Sequence, residues 1–321
     1  MDSVRLTEHG GPDVLQTDAV DRPAPDDRQL LVEIEAAGVN PVDTYFRDGS
    51  YTPVSLPFTP GVEFAGTVAE LGGSVEGFAV GDRVFGTGIG SATHQGAYAE
   101  YAVVPEDRVV VLPEGVEMVE AGAAGVVAGT AWRALLEHAS LSPAEYCLVH
   151  GGSGGVGHAA VQLGAAVSAR VVTTASPEHH ERLQDLGAET VFEYSRDDLA
   201  DAVLSATDGG VDVILDHRLD DYLQFDADVA AEGCRVVGIG ENDSRLGFEH
   251  VGTARSKDVS YQFMSLFNAP DLRAILRGLA HLMATDALSI EIAQTYSLSE
   301  AGEAQRAVME ESFFGKLVIE P

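Results

Sequence analysis

The 321-residue chain is poor in lysine, since only Lys257 and Lys316 occur among its 19 basic residues. Aspartate and glutamate number 51, and the formal net charge is −32 at pH 7. Nucleic-acid binding needs Lys and Arg to displace counterions, so this charge argues against a nucleic-acid partner. An apolar content of 45% excludes an acidic disordered chain. We interpret the composition as adaptation to a salty, halophile-like cytoplasm, because salt screens repulsion between acidic groups; the alternative is an ordinary acidic protein.

Cysteine is equally scarce, with only Cys147 and Cys234. Each lies in an apolar run that predicts a strand, and their spacing shows no pairing. This argues against a cysteine-rich zinc site and a structural disulfide, and it indicates buried thiols in a reducing compartment. The chain also lacks an apolar run of about 18 residues and a basic n-region followed by an apolar segment. We therefore expect a cytoplasmic protein with no membrane partner.

The pattern of apolar residues changes near residue 121. Before it, short β-branched runs broken by glycine and proline predict an all-β unit. After it, the Ala-rich stretch 121–136 predicts a helix, and strand candidates then alternate with helical segments. Six strands joined by helical crossovers predict a parallel, doubly wound sheet, and thus an α/β fold. The strands are expected at 146–150, 170–174, 190–194, 211–216, 234–239 and 258–263, and the helices between most of them at about 155–168, 177–186, 197–206 and 220–231. A further helix over about 270–284 and a last strand at 316–319 end the chain.

A glycine-rich segment follows the first of these strands. It has the pattern G-x-G-x-x-G at Gly152, Gly154 and Gly157, between an apolar strand and an Ala-rich helix. In that context the glycines allow a tight turn, close approach of a pyrophosphate to backbone N–H groups, and close helix–strand packing. The segment therefore predicts a dinucleotide site rather than only a turn. Its members are Gly152, Ser153, Gly154, Gly155, Val156 and Gly157.

The end of the second strand bears on the choice of coenzyme. An NAD enzyme places Asp or Glu there to hold the ribose 2′-hydroxyl, whereas this chain has Thr174, Ala175 and Ser176. No carboxylate at the tip repels a 2′-phosphate, which favours NADPH. Candidate donors to the phosphate are Ser176, His179, His180 and Arg182, although the two histidines also suit a solvated first helical turn.

Several segments resemble the zinc-free quinone oxidoreductases, the ζ-crystallin group of the medium-chain dehydrogenase/reductase superfamily. They are Ala37–Tyr51, with its Gly-Val-Asn-Pro, and Leu56–Glu63, Val80–Val84 and Gly96–Tyr101. The resemblance implies a GroES-like substrate domain over 1–121 and 266–321, and a Rossmann NADPH-binding domain with a six-stranded sheet over 122–265. It also implies that the nicotinamide lies in a cleft between the domains.

The resemblance also implies the absence of zinc. Zinc alcohol dehydrogenases of this superfamily have a cysteine in the region of Gly38-Val39-Asn40 and a histidine after Gly61. This chain has Asn40 and Val62 at these places, and neither residue supplies the thiolate or imidazole that zinc prefers. We therefore expect no metal.

Residue by residue, the family's active-site cleft maps onto Asn40, Tyr45, Arg47 and Tyr51. Alternative roles are core packing for the two tyrosines and a surface ion pair for Arg47. Beyond the glycine segment, the family's coenzyme contacts map onto Thr130, Ser176, His179, Tyr194, Gly238, Ile239, Met264, Leu266 and Lys316. Two departures stand out. His179 replaces a common lysine and is mostly neutral at neutral pH unless perturbed, and Asp216-His217-Arg218 follows the fourth strand, where relatives usually have a glycine pair.

The expected reaction is NADPH-dependent quinone reduction, with Asn40 and Tyr51 donating hydrogen bonds to the reduced carbonyl. Tyr45 and Arg47 would shape and polarise the pocket. Both semiquinone and quinol products occur in the resembled family. The alternatives are an enone or alkenal C=C reductase, with Tyr45 or Tyr51 as proton donor, and a ζ-crystallin-like binding protein without catalysis. The strand at 258–263 should be an edge of the sheet, where family members commonly dimerise, so we expect a homodimer.

Overall fold

The computed structural model describes residues 1–51, 54–91 and 93–321. They form two compact units, the first made of Met1–Gly129 with Pro270–Pro321 and the second of Thr130–Ala269. The boundaries predicted after residues 121 and 265 lie a few residues earlier in the chain.

The first unit begins with short strands and three helices. Its strands are β1 (Asp2–Leu6), β2 (Leu15–Ala19), β3 (Gln29–Val39), β4 (Glu63–Leu71), β5 (Arg83–Thr87), β6 (Tyr101–Pro105) and β7 (Val109–Val111). Its helices are α1 (Pro41–Asp48), α2 (Met118–Gly122) and the first part of α3 (Ala124–Trp132). The last residues of α3 and the π-helical turn at Arg133–His138 that follows belong to the second unit.

The second unit alternates strands and helices. Its strands are β8 (Tyr146–Val149), β9 (Arg170–Ala175), β10 (Thr190–Glu193), β11 (Val211–Asp216), β12 (Ala230–Gly238) and β13 (Ser260–Phe263). Its helices are α4 (Gly155–Ala166), α5 (His180–Asp185), α6 (Leu199–Ala206), α7 (Leu219–Val229) and α8 (Val251–Ser256). The chain then returns to the first unit with α9 (Leu272–Ala284), β14 (Ile292–Ser297), α10 (Ala301–Glu310) and β15 (Lys316–Glu320).

The six strands of the second unit form one parallel sheet in the order β10-β9-β8-β11-β12-β13. The strand order reverses between β8 and β11, which is the place where open α/β sheets bind ligands. All of β8 is buried, as a strand covered on both faces requires. The doubly wound sheet predicted from the sequence is confirmed, and β13 lies at its edge as expected. The main difference is that β12 begins at Ala230, four residues before the predicted start.

In the first unit, seven strands form a mainly antiparallel sheet in which β15 pairs with β3. Its core packs apolar side chains of the sheet around Phe64 and the buried Tyr98, and α10 covers it through Ala301, Ala304 and Ala307.

Helix α1 corrects the prediction that the first 120 residues are all β. Pro41 occupies the first helical turn, and the Asp43 side chain accepts from the N–H of the N-cap residue Asn40 over 2.9 Å, which is the reach-back bond of a capping box. Asn-Pro-x-Asp is itself a helix-start signal. An eight-residue helix shows little periodicity, so this signal was the one that could have found it. Helix α10 and strand β14 were also absent from the sequence-based prediction.

Both cysteines are free and buried, as expected. Burial raises the pKa of Cys147 to about 12 and that of Cys234 still further, so neither thiol ionises near neutral pH. No helix in the described part of the chain is long and apolar enough to cross a bilayer.

Candidate functional site

The glycine-rich segment connects β8 to α4 at the carboxyl edge of the parallel sheet. Gly152 N–H donates to the Thr174 carbonyl over 2.8 Å, and Gly151 N–H donates to Thr174 Oγ1 over 3.0 Å. These bonds fix the turn to the end of β9. Helix α4 then begins at Gly155, and the first turn of a helix leaves its N–H groups without intrahelical partners. The segment thus presents backbone donors at the positive end of a helix dipole.

The three glycines of the pattern have different reasons to be glycine. A Cβ on Gly152 would overlap Thr173 Oγ1, and a Cβ on Gly157 would overlap the Gly151 carbonyl. Gly154 differs, because the nearest described atom to its Cβ would be Gly151 O at 3.4 Å, and its φ of −72° suits any residue. The protein itself therefore does not require glycine at 154. Glycine is required at 154 for a group outside the chain, such as a pyrophosphate, to approach this backbone closely.

Two residues assigned to the 2′-phosphate lie at the same rim of the sheet. Ala175 and Glu193 are register partners at the ends of β9 and β10, so Ser176 and Tyr194, which directly follow them, are neighbours. Ser176 is half-buried, and Tyr194 is 54% exposed. His179 is half-buried in the following turn. The His180 ring instead lies 3.2 Å from the Ala175 carbonyl.

The other coenzyme candidates of the second unit follow the same edge. Gly238 ends β12, and a Cβ there would overlap Leu219 Cδ1. Ile239 N–H donates to the Asp216 carbonyl over 2.8 Å, and Met264 N–H donates to the Gly238 carbonyl over 3.2 Å. Two candidates, buried Leu266 and half-buried Thr130, lie respectively after β13 and on α3.

In the first unit, Lys316, Glu63 and Asn40 form a buried network. The Lys316 ammonium donates to the Val39 carbonyl over 2.8 Å, to Asn40 Oδ1 over 2.7 Å and to Glu63 Oε1 over 2.9 Å. Asn40 Nδ2 donates to Glu63 Oε1 over 2.8 Å and lies 3.5 Å from the Gly38 carbonyl. Glu63 Oε2 accepts from Val126 N–H over 2.7 Å. An ammonium has three donors, and all three have acceptors here.

Two sequence-based assignments, those of Asn40 to the substrate and of Lys316 to the coenzyme, fall on this network and stay predictions. Asn40 was expected to donate to a substrate carbonyl, but its amide hydrogens already have acceptors within the unit, and the side chain is 3% exposed. Lys316 was expected to contact the coenzyme, but its three N–H groups are satisfied, and it too is 3% exposed. Both side chains are therefore hydrogen-bonded parts of the interior of the first unit. Sequence pattern could not show this because Lys316 and Asn40 are 276 positions apart.

Asp43 lies next to this network. Its carboxyl accepts hydrogen bonds from Asn40 N–H over 2.9 Å, Val62 N–H over 3.1 Å and the Tyr98 hydroxyl over 3.2 Å. Burial raises the pKa of Asp43 to about 7, against the opposing effect of these bonds and of the Lys316 charge. A carboxyl that is half protonated near neutral pH therefore supports the loop that carries Asn40.

Arg47 is an internal anchor rather than the member of a surface ion pair. Its Nη1 donates to Gln305 Oε1 over 2.7 Å and its Nε to the Gly10 carbonyl over 3.0 Å. The residue is 7% exposed, and burial lowers its pKa. Arg47 thus joins α1 to α10 and to the N-terminal segment.

The two tyrosines of the predicted cleft differ in exposure. Tyr45 is half-buried on α1, whereas Tyr51 is 54% exposed and packs edge-to-face on Phe46 with 5.6 Å between ring centroids. Of the four predicted catalytic side chains, Tyr51 is therefore the most accessible.

Sequence reasoning missed a buried cluster of His150, Asp216 and Asp226 below the glycine segment. His150 Nε2 lies 2.8 Å from Asp226 Oδ1, and all three side chains are buried. The available signal was charge within an apolar context, since Asp216 ends a buried strand and Asp226 lies on the apolar face of α7.

In residues 1–51, 54–91 and 93–321, no group of three or more His, Cys, Asp or Glu side chains is placed to hold a metal ion. The cation beside Asn40 and Glu63 is the Lys316 ammonium, which is bonded to the amide of the one and the carboxylate of the other.

Comparison with known proteins shows the family to which the chain belongs. Residues 26–114 match the alcohol dehydrogenase GroES-like domain, and residues 186–319 match the family described as zinc-binding dehydrogenase. The chain is 40% identical to a quinone oxidoreductase of Lama guanicoe over 75% of its own length and 73% of that protein.

Solved structures agree with this match. A quinone oxidoreductase of Pseudomonas syringae pv. tomato has a TM-score of 0.89 at 31% identity, with 100% of this chain and 99% of that chain covered. The Escherichia coli quinone oxidoreductase complexed with NADPH has a TM-score of 0.90 at 27% identity, with both chains fully covered. The chain therefore belongs to the quinone oxidoreductase family of the medium-chain dehydrogenase/reductase superfamily and is an NAD(P)H-dependent oxidoreductase.

Proposed function

We propose that this chain reduces quinones with NADPH and without a metal ion. The proposal rests on the backbone at Gly154, which lies at the N-terminus of α4. Packing within the protein does not require glycine there, so the position is open to a bound group. The Escherichia coli relative that shares the fold was solved with NADPH. We accordingly take the second unit as the coenzyme domain and the first as the substrate domain.

The coenzyme would be held mainly by backbone groups. The N–H groups of Gly155, Val156 and Gly157, with Ser153 beside them, would bind the pyrophosphate. Ser176, His179 and Tyr194 would surround the 2′-phosphate, because the β9 tip carries no carboxylate. The remaining proposed contacts are Thr130, Gly238, Ile239, Met264 and Leu266.

When bound, NADPH supplies a hydride to an electron-poor acceptor. For a quinone, the protein then needs to orient the acceptor and stabilise negative charge on one oxygen. We propose that the Tyr51 hydroxyl donates to that oxygen and that Tyr45 shapes the pocket beside it. Arg47 contributes by fixing α1, on which Tyr45 lies. A reduced quinone oxygen takes its proton from water, so no buried acid is required.

We propose that the chain holds no zinc, because the residues present do not suit a zinc ion. A divalent cation near Asn40 and Glu63 would lie beside the Lys316 ammonium, which already neutralises the carboxylate at 2.9 Å. Neither Asn40 nor Val62 offers a soft ligand. Metal analysis of the purified protein is expected to find less than about one zinc per ten chains, and activity is expected to survive chelators.

Steady-state assays in molar KCl test the function. Loss of NADPH and, separately, NADH is followed with 1,4-benzoquinone, 9,10-phenanthrenequinone and an α,β-unsaturated ketone. Quinone-dependent oxidation with a clear preference for NADPH is expected. Turnover of the enone alone would replace the quinone assignment by a C=C reductase with Tyr51 as proton donor. Binding of NADPH without turnover of either acceptor would defeat the proposed catalysis and favour a binding protein.

Tyr51→Phe isolates the proposed hydrogen bond. Removing one oxyanion donor costs about 10²-fold in kcat where it is a main donor, and we expect a loss of that order with an unchanged Kd for NADPH. Tyr194→Phe, at the coenzyme rim, is the matched control and should instead raise the Kd. An unchanged kcat in Tyr51→Phe would remove Tyr51 from the mechanism.

We further propose that the protein is a homodimer through β13. This strand is one of the two edges of the six-stranded sheet, and Phe263 at its end is 64% exposed. An uncovered edge strand offers unpaired N–H and C=O groups to a second copy. Elution at dimer mass in molar KCl is expected, and Phe263→Glu should shift it to monomer mass. Elution of the wild type as a monomer would refute the dimer.

A further inference from the structure

The cluster below the glycine segment joins two strands that meet at the switch point of the sheet. Val149 of β8 and Leu215 of β11 are register partners, so His150 and Asp216, which directly follow them, emerge side by side. Asp226 reaches the same place from α7, with its Oδ1 2.8 Å from His150 Nε2. The exposed fractions are 3% for His150 and 0% for both carboxyl groups.

Each of the two carboxyl groups has one buried oxygen without a hydrogen-bond donor among the described residues. Asp216 Oδ1 accepts from Arg218 N–H over 2.7 Å, and Asp226 Oδ1 is bonded to His150. The two Oδ2 atoms are buried and have no hydrogen-bond partner in the described part of the chain. Two carboxylate oxygens are both acceptors, so a bond between them requires a proton. Burial raises the pKa of both groups, to about 7 for Asp216 and about 8 for Asp226.

The titratable residues packed around the pair do not change their charge near neutral pH. Burial lowers the pKa of His150 to about 4, so its ring is neutral near pH 7, and it stacks on Tyr222 with 4.3 Å between ring centroids. Burial raises the pKa values of Tyr222 on α7, Cys234 on β12 and Tyr261 on β13. The Arg218 guanidinium is directed to Asp220 and Asp221. Among these neighbours, the carboxyl pair is the group that titrates between pH 6 and 9.

The pair supports the loops that face the proposed coenzyme. The Asp216 carbonyl accepts from Ile239 N–H over 2.8 Å, which ties the end of β11 to that of β12. The next residue, His217, lies over the glycine segment, since a Cβ on Gly151 would be 2.7 Å from His217 Cε1. Movement of Asp216 therefore displaces the surface on which Gly151 rests.

We propose that Asp216 and Asp226 are positioning residues for coenzyme binding, in which one shared proton holds the end of β11 on α7 and keeps His217 against the glycine segment. When the second carboxyl ionises, two buried negative charges repel each other and the clamp opens. Coenzyme affinity then falls as pH rises, and binding at alkaline pH takes up one proton. The proposal rests on the NADPH binding proposed above.

Direct titration of NADPH binding tests the clamp. Kd is measured by coenzyme fluorescence in molar KCl from about pH 6 to 9.5, for wild type, Asp226→Asn and Asp216→Asn. Each Asn keeps an oxygen acceptor and supplies a fixed N–H to the remaining carboxylate, so the clamp persists without a titratable proton. We expect the wild-type Kd to rise about tenfold across the range, and the Kd of either variant to follow only the titration common to all three proteins. The groups outside the pair are the same in all three proteins, so the difference between profiles isolates the pair.

Calorimetry supplies a second readout that a purely structural role would not move. Titrations at about pH 8.5 in buffers of different ionisation enthalpy count the protons exchanged on binding. Wild type should take up more protons than Asp226→Asn, with a difference approaching one. Identical pH profiles in wild type and both variants, or equal proton uptake, would overturn the clamp. A wild type that binds NADPH with a flat profile defeats only this inference, whereas one that binds no NADPH at any pH defeats the proposed function as well.

Discussion

Lys316 Nζ lies 2.9 Å from Glu63 Oε1, and the two side chains are 4% and 0% exposed. This pair joins the last strand of the chain to β4. The Lys316 charge therefore stabilises the packing of the first unit.

Removal of the ammonium should destabilise the protein more than removal of both charges. Lys316→Met leaves Glu63 buried without its cation, and breaking a buried pair costs about 3 to 5 kcal/mol. Urea unfolding measures the free energy of unfolding of Lys316→Met and of the double variant Lys316→Met/Glu63→Gln. The double variant should recover at least half of the loss. Equal stability of Lys316→Met and wild type would contradict the assigned role.

Gly154→Ala should weaken coenzyme binding without unfolding the protein. The new Cβ meets no described atom closer than 3.4 Å, but it occupies the space through which a pyrophosphate approaches the backbone. We expect the Kd for NADPH to rise about tenfold or more, equivalent to about 1.4 kcal/mol. Gly252→Ala on α8 is the control, because a Cβ there has no atom within 4 Å. The same Kd in both variants would argue against the proposed pyrophosphate site.

Ser176→Asp should reverse the coenzyme preference. A carboxylate at the tip of β9 repels a 2′-phosphate and can bond to a free 2′-hydroxyl. We expect kcat/KM for NADPH to fall by about tenfold or more, or about 1.4 kcal/mol, while that for NADH stays level or rises. Ser176→Asn matches the size of the new side chain without its charge and should lose less. If both coenzymes respond alike, the phosphate lies elsewhere.

Stability should fall as pH rises from about 6.5 to 8. Burial raises the folded-state pKa values of Asp43 and Asp226 to about 7 and 8, against about 3.9 in the unfolded chain. In this range the folded state binds protons that the unfolded state has released, so each such group lowers the free energy of unfolding by up to about 1.4 kcal/mol per pH unit. His150 acts in the opposite direction, but only below about pH 6.5, because its folded-state pKa is lowered to about 4.

Urea unfolding at constant molar KCl checks this slope. Asp226→Asn removes one of the contributing groups and should make the decline shallower than in wild type. A stability that is constant or rises across this range would show that these carboxyls are ionised in the folded protein.

Salt should stabilise the protein strongly. A net charge of −32 makes the compact state repel itself, and the Debye length shortens from about 10 Å at 0.1 M to about 3 Å at 1 M salt. We expect the melting temperature to rise by about 2 °C or more, which is about 1 kcal/mol or more for a protein of this size, between 0.1 M and molar KCl. Sucrose at equal osmolality serves as the uncharged control. Equal effects of KCl and sucrose would leave the ordinary acidic protein as the better interpretation.

The parallel sheet was predictable because its signal is local. Each strand from β8 to β13 is a short apolar run, and glycine punctuates the first crossover, so length and composition located all six. Helix α1 was missed because it has only eight residues, which is too short for a periodic pattern, although its capping signal was present.

The site was predictable only where backbone geometry defines it. Gly152, Gly154 and Gly157 identify a cradle because their spacing has one main structural use. Asn40 and Lys316 were assigned by resemblance, and their shared network depends on strands that meet only in the folded unit. The proposed sharing of a proton by Asp216 and Asp226 likewise depends on α7 packing back against β11, which no local pattern encodes.

The scarcity of lysine has a consequence for chemical labelling. Lys316 is enclosed with three acceptors, and the half-buried Lys257 donates to the carbonyls of Ala227 and Asp228 over 3.0 and 2.8 Å. The α-amino group of Met1 is bonded to the Val20 carbonyl. Amine-directed acylating reagents and cross-linkers therefore meet few reactive nitrogens, so failure to cross-link says little about the assembly. Carboxyl-directed coupling, by contrast, would find a dense array of targets on the same surface.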